Sequence, residues 1–162
     1  MNAVTLRALE AFPDHLEEHY RAIPDDFKDW APPSWEGIPS ESLTAMGQIC
    51  HVRDIEIDGY HVRFRRTLEE TNPALASLDT YVLAQARSYS VPNVMQALEE
   101  FRQARRTTLV LISTLTPAQY NRHATFEGYG ALTLKSLVHY LCSHDQQHLA
   151  GLQWLSGKIA AT

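Results

Sequence analysis

Eight histidines stand against two cysteines in this 162-residue chain: His15, His19, His51, His61, His123, His139, His144 and His148. His144 and His148 lie four apart in LKSLVHYLCSHDQQHLAGLQWL, so a helix stacks them on one face. With His144 at zero and about 100° per residue, Leu134, Leu137, Leu141, Leu152 and Leu155 fall between about 20° and 80°. On the same scale His148 falls at about 40°, and His139 at about 220°, on the opposite face. The pair therefore lies on the apolar stripe and is aimed at a core. Imidazoles there need partners. Either hydrogen bonds satisfy each ring, or a metal takes one nitrogen of each while the other nitrogen donates to a neighbour.

The H-x-x-x-H spacing invites comparison with the H-E-x-x-H helix of zinc proteases, in which the Glu is the general base. Here Asp145 stands in that position, one methylene shorter. After His148 the chain reads LAGLQWLSGKIAAT, with no His, Asp, Glu or Cys to supply a downstream third ligand. A third ligand has to come from upstream, on another helix. His15 and His19 sit in the charged stretch DHLEEHY, which reads as a solvated face, and His123 sits in a late loop. His51 lies in QICHVRDIE, but angle arithmetic does not place it cleanly on its helix's core stripe, and His61 fits that stripe better. Periodicity leaves the choice between them open.

Four long helices are expected to position these residues. The first runs from about Val4 to Ala22, with Pro13 predicting a kink or a late start. A Pro-rich loop over 24–39 follows, anchored by Trp30 and Trp35. Ser40 or Ser42 is expected to cap a second helix running to about Leu68, with Leu43, Met46, Cys50, Ile57, Phe64 and Leu68 as its stripe. Residues 74–89 read as a short helix or a covering loop. Ser90, with Pro92 in the first turn, is expected to open a third helix to about Leu115. NRHATFEGYGALT reads as a turn or small hairpin, and the fourth helix opens near Thr133 and stops after Ser156 at Gly157. The expectation is an all-α four-helix bundle, one domain over 1–162.

Composition excludes several classes. Apolar residues make up 44% and charged residues 20%, the balance of a globular chain. A net charge of −5 argues against nucleic acid as partner. No stretch approaches the roughly 20 apolar residues of a membrane span, and no secretory signal is readable, so a cytoplasmic location is expected. Cys50 and Cys142 read as small helix residues, Trp30, Trp35 and Trp154 as packing anchors, and Tyr60, Tyr129 and Tyr140 as donors that spacing does not rank.

At this point the chain resembles the DinB superfamily, the DinB/YfiT-like metalloenzymes. Three passages carry the resemblance: RAIPDDFKDWAPP closing the first helix; an S-x-x-L … H-x-x-D-x-E helix from Ser40 through His51 to Glu56; and H-D-x-x-H-L at His144–Leu149, preceded by TLKSLVHYL. It covers roughly residues 5–156, and departs from the family where Ala31 follows the Trp in place of a frequent Arg. The resemblance implies an up-down-down-up four-helix bundle, a homodimer, and one divalent metal (zinc, nickel or iron) on His51, His144 and His148. It is the resemblance that selects His51 over His61. Such a site keeps a position open for water or substrate, and Asp145 or Glu56 could orient a ligand, act as base, or solvate a helix.

The leading expectation is a metal-dependent hydrolase or a transferase using a low-molecular-weight thiol, acting on a small-molecule substrate. A non-catalytic bundle or dimerisation module with an empty or vestigial site is the alternative. A dinuclear carboxylate bundle is a third reading, with Asp58-x-x-His61 and Asp145-x-x-His148 joined by Glu17 or Glu18 and Glu99 or Glu100.

Overall fold

The computed structural model describes residues 1–89 and 93–162. Four helical columns pack side by side: α1 (Ala3–Ala22); a second column made of α2 (Ala45–Asp54), a π-helical turn (Ile55–Tyr60) and α3 (His61–Glu69); α5 (Val94–Thr114), after the short α4 (Thr80–Ala86); and α7 (Leu134–Ile159), after the short α6 (Pro117–Tyr120). A small sheet closes one end. Its β1 (Ala74–Leu75) pairs in parallel with β2 (His123–Phe126), and β2 pairs antiparallel with β3 (Gly130–Thr133), with Ala124 opposite Leu132. Residues 74–89 thus hold both a strand and a short helix, and NRHATFEGYGALT forms the hairpin.

Several helix ends differ from expectation. Thr44, not Ser40 or Ser42, caps α2, accepting from the Gly47 amide at 3.2 Å. The Ser40 side chain is engaged elsewhere, with Gln48. Asn93 caps α5, and the expected cap at Ser90 with Pro92 lies outside the described residues. Thr133 caps α7 through a capping box with Ser136, as read, but the helix passes through Gly157 to Ile159. Glycine is only a weak stop when nothing else ends the helix.

Pro13 neither delays nor ends α1, which begins at Ala3 under an Asn2 cap. Proline has no N–H to give to the carbonyl four residues back, so the Leu9 carbonyl has no helical donor. Arg105 of α5 fills the vacancy, its Nη1 donating to Leu9 O at 2.9 Å.

The π-helical turn accounts for the poor fit of the second stripe. A π turn bonds i to i+5, which adds one residue to the winding and rotates everything after it. Buried positions run 51, 52, 54, 55 and 56, then 59, 60, 63, 64 and 67, and Ile57 turns outward to 37% exposure. A single α-helical phase across the whole column had placed Ile57 and His61 on the core face.

The core comes in two apolar halves. One holds Phe12, Leu16, Ile49, Leu98, Phe101, Leu152 and Leu155; the other holds Leu9, Phe64, Ile112, Leu134, Leu137 and Leu141 with Leu75, Phe126 and Leu132 of the sheet. Between them the second column, α5 and α7 contribute a layer of buried polar groups: His51, Asp54 and Glu56; Arg105 and Thr108; Asp145 and His148.

Candidate metal centre

The histidine stacking expected on α7 is present, and α2 brings His51 against it. His51 Nε2 lies 3.3 Å from His144 Nε2, which lies 3.0 Å from His148 Nε2. The segment before α2 adds a carboxylate: Glu41 Oε1 is 3.6 Å from His51 Nε2, and Glu41 Oε2 is 3.3 Å from His148 Nε2. Ligand atoms of Glu41, His51, His144 and His148 all lie within 4.8 Å of one another. Gly151 lets this segment come close, since a Cβ there would stand 2.4 Å from Ser40 Oγ.

Gln48 fixes the chemistry of one ring. Its Nε2 donates to Ser40 Oγ (3.0 Å), Glu41 O (3.1 Å) and Leu43 O (3.3 Å), so its Oε1 is the atom that faces His148. A carbonyl oxygen only accepts, so His148 Nδ1 carries the proton and donates to it. His148 Nε2 then presents a lone pair towards Glu41 Oε2, a buried acceptor with no hydrogen-bond partner among the described residues. Acceptor faces acceptor, an arrangement that a bound cation or a shared proton would relieve. The donor set fits a cation: around an ion with nitrogen ligands at about 2.1 Å, neighbouring ligands stand about 3.0–3.4 Å apart. Burial pulls all three imidazoles below the usual histidine range. At His144 the charges of His51, Arg105 and Arg63 push further the same way. Neutral imidazole is the form that ligates.

His51, His144 and Glu41 also line a cavity of about 110 Å³, walled by Ile55, Tyr60, Arg63, Leu78, Phe126 and Tyr129. The Tyr60 ring lies 6.3 Å from that of His144, and burial raises its hydroxyl well above the ordinary tyrosine range, so it stays a donor.

Asp145 and Glu56 stand outside this cluster, both closed on buried Arg105. Arg105 reaches Asp145 at 2.8 and 3.0 Å and Glu56 at 3.0 and 3.1 Å, and Thr108 Oγ1 donates to Glu56 at 2.6 Å. Two carboxylates share one guanidinium. Burial pushes Asp145 up to about 7 despite Arg105, with Glu56 adding to the rise. In this arrangement Asp145 ties α7 to α5 one residue from His144. The carboxylate–histidine pairs of a dinuclear centre do not assemble: Asp58 pairs with Arg87, and His61 donates to Ala104 O and Thr108.

The remaining histidines are scattered. His15 and His123 are exposed, His19 meets Gln153, and His139 faces away to Thr5 of α1. Cys50 is buried and its thiol is pushed up to about 11, while Cys142 is half-buried. Trp35 stacks on Trp154, and Trp30 packs edge-on to Phe27. Sequence reasoning missed Glu41, Gln48, Arg63 and Arg105. For Glu41 the only signal was its place between two serines weighed as caps. Gln48 stands one turn before His51, on its face, a spacing that could have marked it.

The fold and this cluster together describe a helical-bundle protein with a histidine–carboxylate centre. The family model of the DinB superfamily matches residues 8–152, and the chain belongs to that superfamily. Among solved structures it is similar to YfiT from Bacillus subtilis, described as a probable metal-dependent hydrolase with an unusual four-helix bundle topology. The TM-score is 0.84 at 20% identity, over 99% of this chain and 90% of that one, a likeness of fold. No curated protein matches the sequence.

Proposed function

We propose that the protein is a metal-dependent hydrolase of small molecules, with one divalent ion (zinc, nickel or iron) held by His51, His144 and His148. The observation that carries this reading is the buried meeting of His148 Nε2 with Glu41 Oε2, two acceptors 3.3 Å apart with no donor between them. When bound, a divalent ion supplies Lewis acidity and acidifies a water molecule. The chain's own residues do the rest. Gln48 holds the His148 tautomer, as outer hydrogen bonds do for metal-ligating histidines. Glu41 Oε2, facing the same position as His148 Nε2, would add a carboxylate to the ion's donor set. Tyr60 offers its O–H to a substrate oxygen, and Ile55, Leu78 and Phe126 narrow the cavity against bulk water.

The same ligands would serve transfer to a low-molecular-weight thiol, with the thiol entering where water does. The family resemblance supports an up-down-down-up order and a homodimer, which we extend to one domain over 1–162 working in the cytoplasm. The charge of −5 supports a small-molecule rather than a nucleic-acid partner.

Metal analysis of tag-free protein tests the reading. One divalent ion per chain is expected, lost in His144→Ala/His148→Ala together with turnover of model esters and amides. Equal metal in the double variant ends the proposal. A metal-free wild type points to the non-catalytic bundle. A rise in melting temperature with a bacillithiol-like thiol, and none with ester substrates, points to thiol transfer.

A further inference from the structure

The cavity over the histidines contains a charge that the hydrolytic reading leaves unused. Arg63 is only 5% exposed, and its sole protein acceptor among the described residues is a backbone carbonyl, Ala76 O, which takes Nε at 3.3 Å and Nη2 at 3.1 Å. No carboxylate pairs with it among the described residues, in contrast to buried Arg105, which has two. Nη1 has no acceptor there at all. The guanidinium lies between aromatic faces, 4.5 Å from the Phe126 ring centre and 5.2 Å from that of Tyr60. Gly59, in the π-helical turn, makes room for it, since a Cβ there would stand 2.8 Å from Nη1.

A buried cation without a counter-charge is costly. Cation–π contacts and one carbonyl return part of that cost. They leave unused the planar fork of donors that matches a carboxylate. Arg63 and the two histidines line the same small cavity, with Tyr60 and Tyr129 beside them. About 110 Å³ is below the size of a drug-like pocket and suits a small compound or one end of a longer one.

We propose that Arg63 is a specificity-determining residue that binds a carboxylate of the substrate, so that the protein acts on small carboxylates whose scissile group reaches the histidine centre. The inference rests on the hydrolase reading for the reaction and on Arg63 alone for recognition. Phe126, Tyr129 and Leu78 suit an aromatic or aliphatic body next to that charge. The division of labour is spatial: the guanidinium anchors one end and the histidine cluster meets the other.

Benzoate and its neutral isostere benzamide test this, titrated by calorimetry at fixed ionic strength into metal-loaded and chelator-stripped protein. The wild type is expected to bind benzoate at least tenfold more tightly than benzamide in both forms. In Arg63→Met the two probes should bind within about twofold of each other, with metal content unchanged. Arg63→Lys, which keeps the charge without the fork, should lose several-fold in benzoate affinity and none in benzamide affinity. That variant decides the matter if Arg63→Met does not fold. The proposal is overturned if the wild type shows no preference, if neither probe binds, or if the preference survives in Arg63→Met. A preference surviving there would mean that the metal reads the carboxylate, or that Arg63 only fastens the 74–76 segment. Failure of the hydrolase reading shows separately, as protein that holds no metal yet still prefers benzoate.

Discussion

Replacing Gln48 two ways separates metal affinity from stability. In Gln48→Leu the buried His148 Nδ1–H loses its one acceptor among the described residues, and its tautomer is no longer held. Loss of such an outer partner typically costs 10–100-fold in metal affinity, or about 1.4–2.8 kcal/mol. Ser40 Oγ, Glu41 O and Leu43 O also lose a donor, at about 1 kcal/mol each. Gln48→Glu is the informative counterpart. Its carboxylate still accepts from His148 and makes the ring more basic, so metal affinity is held or raised. It also turns an oxygen towards the Glu41 and Leu43 carbonyls, where Nε2 had donated, so about 2–4 kcal/mol of stability is lost. The assay is chelator competition for affinity, with urea denaturation of the metal-free forms for stability. Equal affinities in wild type and Gln48→Leu, with the leucine variant folded, would refute the tautomer argument. So would a glutamate variant that lost affinity as steeply as leucine.

Arg105→Leu leaves two buried carboxylates without their cation and is expected to lose about 3–5 kcal/mol, enough to unfold much of the chain near neutral pH. Adding Glu56→Gln and Asp145→Asn should restore a measurable part in chemical denaturation, and no recovery would mean that packing, not charge, carries the loss. Acid should weaken the metal-free protein. The histidines of the cluster are held below their unfolded value by burial, so the unfolded chain takes up more protons, and stability is lost as pH falls below about 6.5. Asp145, raised to about 7, works the other way between its unfolded value and 7, one carboxyl against three imidazoles. The melting temperature of stripped protein from pH 8 to 5 should therefore fall, and a flat or rising profile would contradict the assignment of three neutral rings.

The sequence was most legible where one helix geometry runs unbroken. On α7 a single angular phase put His144 and His148 with the leucines and His139 behind them, as found. On the second column the same arithmetic failed, because nothing in IEIDGY announces a π turn and one extra residue redirects His61. The resemblance supplied His51 where periodicity could not. Glu41 was hidden because a carboxylate in a loop has no period to betray it. Arg105 was hidden because its partners lie on three other segments, about 40 to 96 residues away in the chain. Pro13 did not delay α1: the vacancy it leaves at Leu9 is filled from another helix, and the helix runs through it from Ala3 to Ala22.

The layer of charge and imidazole between the two apolar halves also serves as an axial index. Leucine against leucine tolerates sliding, and a bundle held only by such contacts can settle one turn out of step. Here a slip of about 5.4 Å on α5 or α7 would carry Arg105 or Asp145 into the Phe and Leu above or below, unpaired. Each half of the core therefore inherits its alignment from the same polar rung that gathers the histidines. The residues that hold the centre together also tell the second column, α5 and α7 where to stop.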